Sequence, residues 1–74
     1  MTTNSAIKFA RDLLALQSAK EVRDWVAIHG FEIWQLPVTS LLTIQLLCLV
    51  EVVDCGGNLN LCLDRIEELL VEAN

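Results

Sequence analysis

The sequence predicts an all-α fold: a small four-helix (or three helices plus a short one) antiparallel bundle, completed by homodimerisation. Three observations predict it. Apolar residues recur at helical spacing along most of the chain, Gly and Pro punctuate it at Gly30, Pro37 and Gly56-Gly57, and the connections left between periodic segments are short. Short connections favour antiparallel neighbours. Of the 74 residues, 54% are apolar, while a single domain spanning residues 1–74 buries only roughly 60% of the surface its unfolded chain exposes. Such a core needs a staple or a partner. Three cysteines, an odd count, make a poor disulfide framework, so a second copy of the chain is the expected partner.

Helix one is expected from a cap at Asn4 or Ser5 to about Leu16, with Ala6, Phe9, Ala10, Leu13 and Leu14 on one stripe and Lys8, Arg11 and Asp12 opposite. Ser18-Ala19-Lys20-Glu21 opens helix two as a capping box: the serine hydroxyl accepts from an orphan backbone N–H and the glutamate reaches back. Val22, Trp25, Val26 and His29 share its apolar face, Lys20 and Asp24 form an i,i+4 pair outside, and Gly30 is the expected stop. Residues 31–36 then read as an irregular connector whose Phe31, Ile33, Trp34 and Leu36 plug the bundle.

Pro37 suits the first turn of helix three, where its missing N–H costs nothing. At about 100° per residue, residues 38–54 place Ser40, Thr43, Glu51 and Asp54 on a narrow polar strip with Leu47, and the remaining circumference is nearly all Leu, Ile and Val. Such a helix must be covered by three neighbours in its own chain or by a copy of itself. Gln45 projects into that apolar circumference and needs a hydrogen-bond partner, either within the chain or in a symmetry mate. Gly56-Gly57 ends the helix, Asn58 or Asn60 caps helix four, and Leu59, Cys62, Leu63, Ile66, Leu69, Leu70 and Ala73 form its inner face.

The totals narrow the function. A net charge of -5, with basic residues confined to Lys8, Arg11, Lys20, Arg23 and Arg65, lacks the footprint of a nucleic-acid binder. The apolar stretch 38–53 carries Gln45 and Glu51, and falls short of the roughly 18 uncharged residues a membrane span needs. Met1-Thr2-Thr3-Asn4-Ser5 has no basic segment of a signal peptide, so a cytoplasmic, reduced protein is expected.

No catalytic constellation or cofactor motif is present, and no enzyme is expected. His29 is the sole histidine; it reads as structural, on the apolar stripe in the last turn of helix two. Cys48, Cys55 and Cys62 recur every seven residues without a C-x-x-C pair, so no metal site is expected; Cys48 and Cys62 read as buried small hydrophobes, Cys55 as the accessible thiol. Residues 38–74 hold one basic and six acidic side chains, and Asp64, Glu67, Glu68 and Glu72 form a solvated face or a dock for a larger partner with a basic surface.

These points favour a non-enzymatic protein–protein interaction module, a regulatory or adaptor protein that works as a homo-oligomer through the apolar helix 38–54. The residues expected to carry the interaction are Trp34, Leu42, Gln45, Leu46, Leu49, Val53, Glu67 and Glu68. Two other readings attach to specific residues. Thr39-Ser40-Leu41-Leu42 at a helix start resembles the acyl carrier protein family, which implies a carrier domain modified at Ser40; that family's Asp before the serine is Thr39 here, and no Gly precedes it. Residues 6–29 could also form a helix-turn-helix, with Lys20, Arg23 and Asp24 on the recognition helix.

Overall fold

Among the described residues four helices form; the punctuation marks three of their boundaries closely, while the first ends early, the second runs past its expected stop and the third starts late. The computed structural model describes residues 4–73, with side-chain surroundings for residues 5–72. α1 spans Asn4–Leu14, α2 Ala19–Trp34, α3 Leu41–Cys55 and α4 Leu59–Ala73, with no strand among the described residues. α1 ends on a tightened turn in which the Leu16 N–H donates to Leu13, about two residues before the expected end. Its buried stripe is Ala6, Ala10 and Leu13, as the periodicity requires.

The capping box at α2 forms. The Glu21 N–H donates to Ser18 Oγ at 3.2 Å, and the Glu21 carboxylate accepts from the Gln17 N–H at 2.6 Å, one residue further out than the simplest box. The Lys20–Asp24 pair closes at 3.0 Å. Gly30, however, does not stop the helix. It lies buried inside α2, which runs on to Trp34, so residues 31–34 are helical rather than a connector. Nothing at Gly30 demands a left-handed backbone; the only positive φ among the described residues belongs to Gly56. Of the four side chains expected to plug the bundle, Ile33 alone is buried; Leu36 is half-buried and Phe31 and Trp34 face solvent.

α3 starts four residues after Pro37, not at it, because Ser40 supplies a better start. The Ser40 hydroxyl accepts from the Thr43 N–H and lies 3.3 Å from Thr43 Oγ1. That local pairing lets Thr43 be fully buried, which corrects the expected polar strip. The inner face of α3 is Leu42, Thr43, Leu46, Leu49 and Val50, while Leu41, Ile44, Cys48, Glu51 and Cys55 face out. Gly56 at φ 74° and the Gly57 N–H bonded to the Val52 carbonyl at 2.9 Å end α3 as expected. The Asn58 side chain then accepts from the Asn60 N–H, and α4 buries Leu59, Ile66, Leu69 and Leu70.

α3 is the hub. It packs on α4 most extensively, then on α2 and α1, whereas α2 and α4 barely touch. The covering that so apolar a helix requires therefore comes from three neighbours in its own chain. α1 docks on α2 through an aromatic cluster in which Phe9 meets Trp25 edge-on at 5.6 Å and His29 lies 4.6 Å from Trp25. Because α2 continues beyond Gly30, His29 sits mid-helix rather than in a last turn, and its Nδ1 pairs with Glu32 at 3.2 Å.

Candidate interaction surface

The continuation of α2 past Gly30 creates the feature of most functional interest. Gly30 lies against α3, where a Cβ placed on it would be 3.6 Å from Val50 Cγ1. The helix turn carrying Ala27, Phe31 and Trp34 is thereby held beside Val50 and Val53 without a side chain to fill the seam. The result is a groove of about 350 Å³ between α2 and α3, lined by those residues with Val26, Arg23 and Asp54. Phe31 is 76% and Trp34 54% exposed. An open groove at the low end of the size range for ligand sites, roughly 300–1,000 Å³, suits inserted side chains better than an enclosed cofactor.

Arg23 and Asp54 bring opposite charges to this apolar groove, and neither has an ion-pair or side-chain hydrogen-bond partner among the described residues. Both are exposed. The other α2 charges include Lys20 and Asp24, which neutralise each other.

Of the expected interaction residues, the structure brings Trp34 and Val53 together in the groove. It does not bring the others there. Leu42, Leu46 and Leu49 are at most 2% exposed and are consumed by the chain's own core. Gln45 is half-buried, and no buried side-chain N or O among the described residues lacks a partner. Its amide is thus not the sequestered group that demanded a mate. Glu67 and Glu68 lie on the exposed face of α4 with Asp64, Val71 and Glu72, and Glu68 is held at 2.9 Å by Arg65.

Phe31, Arg23 and Asp54 were missed by sequence reasoning. Reading Gly30 as a helix interior would have found the first, because Ala27, Phe31 and Trp34 then fall on one stripe.

The thiols are also rearranged. Cys48 is exposed, contrary to the buried role expected of it, because the outer face of α3 is rotated from the predicted one. Cys55, the last residue of α3, is exposed as expected. Cys62 is half-buried; burial pushes its thiol pKa up, and negative charge on Cys48 would push it further the same way. No His, Cys, Asp or Glu group among the described residues is arranged to hold a metal ion, and no helix among them is long and apolar enough to cross a membrane.

Ser40, the residue that the carrier-family resemblance would modify, is half-buried with its hydroxyl engaged at Thr43. Compared with known proteins, the chain matches no family pattern, no curated protein and no solved structure.

Proposed function

We propose that this protein is a non-enzymatic interaction module that acts as a homo-oligomer, in a cytoplasmic setting that its three free thiols favour. One observation carries the reading: Phe31 and Trp34, two of the chain's four large aromatic residues, remain 76% and 54% exposed beside an apolar groove after the helices have packed. Aromatic side chains dominate interface energetics, and burying such surface is worth about 25 cal/mol per Å². Leaving both in water forgoes that stabilisation in a domain too small to neglect it. The self-associating surface is then the margin of α3 together with α2, since the inner face of α3 is occupied within the chain.

Sedimentation equilibrium over about 1 µM to 1 mM tests the proposal. The expected result is a weight-average mass that rises with concentration above the 8.3 kDa of one chain. A constant mass of 8.3 kDa over that range overturns it.

A further inference from the structure

Resting on the self-association proposed above, we infer that the α2/α3 groove is a twofold contact between copies: Phe31 and Trp34 of each chain insert against the other's groove, and Arg23 of each pairs with Asp54 of its mate. A twofold interface must be self-complementary, because the same patch serves on both sides. This groove meets the requirement. It supplies apolar walls from Ala27, Val50 and Val53, two protruding aromatic rings, and one unpaired charge of each sign. Aromatic residues and arginine are also the types enriched in interface cores.

Electrostatics select this side of the molecule over the alternatives. Two copies each carrying -5 repel. α4 contributes Asp64, Glu67, Glu68 and Glu72 against Arg65 alone, whereas α2 carries Glu21, Asp24 and Glu32 against Lys20 and Arg23. α2 and α4 barely touch, so a contact through the outer edge of α2 keeps the acidic α4 faces of the two copies apart. The outward strip of α3 holding Leu41, Ile44, Cys48 and Glu51 is also apolar but offers one sign of charge only.

A charge-swap cycle tests the contact. The self-association constant is measured by sedimentation at about 0.15 M salt, where long-range repulsion is screened beyond about 8 Å, for wild type, Arg23→Asp, Asp54→Arg and the double variant. Each single variant is expected to weaken association by about tenfold or more, and the double variant to recover most of it. Asp54→Arg is the sharper arm, since it lowers the net negative charge and would strengthen association if overall repulsion alone mattered. Circular dichroism is expected to be unchanged throughout, both side chains being exposed.

If wild type associates but the single variants match it, or the double variant fails to recover, the groove assignment falls and the homo-oligomer reading stands. If wild type remains at 8.3 kDa, both fall.

Discussion

α3 and the last turns of α2 make an instructive pair. α3 is the most apolar helix of the chain, yet its central leucines are sealed by three neighbours, and its outward side is interrupted by Glu51. α2 is more mixed in composition, yet it ends in Phe31 and Trp34, which its own chain leaves largely in water. Exposed apolar surface is spread over α2, α3 and α4, at Ile28, Leu41, Ile44, Leu61 and Val71 among others, but its large aromatic part lies where α2 runs on past Gly30, at Phe31 and Trp34.

Three substitutions would break or sharpen this contrast. The largest effect is expected from Leu46→Ala, which deletes a fully buried side chain on the inner face of α3. It should cost about 2–5 kcal/mol, enough to leave a domain of this size partly unfolded, and denaturant melts read it directly. A loss under about 1 kcal/mol would mean that the inner face of α3 is not the core.

Gly30→Ala should act in the opposite direction. The new methyl would meet Val50 and Val26 at ordinary contact distances of 3.6 and 3.7 Å, and replacing an interior helical glycine gains about 0.5–1 kcal/mol. A destabilised variant would mean that the methyl crowds Val50 or Val26 rather than resting against them.

The smallest effect belongs to Phe31→Ser. At concentrations low enough to keep the chain monomeric, its unfolding free energy should stay within about 0.5 kcal/mol of wild type, because the ring is 76% exposed. A loss above about 1 kcal/mol would show the ring buried in the bundle, as the connector reading of residues 31–36 supposed.

Much of the fold was legible residue by residue. The Ser18–Glu21 box, the Gly56-Gly57 termination and the Asn58 cap are chemistry between neighbours in sequence, and each appears where its residues stand. The inner face of α4 was equally readable, because Asp64, Glu67, Glu68 and Glu72 mark the opposite side unambiguously. α3 offered no such contrast: with apolar residues nearly all round, its few polar positions set a false phase. Thr43, satisfied by Ser40 within one turn, could be buried at little cost, while Cys48 turned outward. The candidate site was half legible. Trp34 and Val53 are legible as interaction residues, but a helix stop at Gly30 makes Phe31, and Trp34 with it, plugs of the bundle, and the structure leaves both rings exposed.

The amino-acid order alone determined that four helices form, and where α2 and α4 begin and α3 ends, since caps and left-handed glycines act over a few bonds. Which side of α3 points inward, whether Gly30 interrupts or continues α2, and which aromatic rings are left uncovered were decided only by tertiary packing. Burial depends on the neighbour that arrives, and for α3 and α2 that neighbour lies many residues away in the chain.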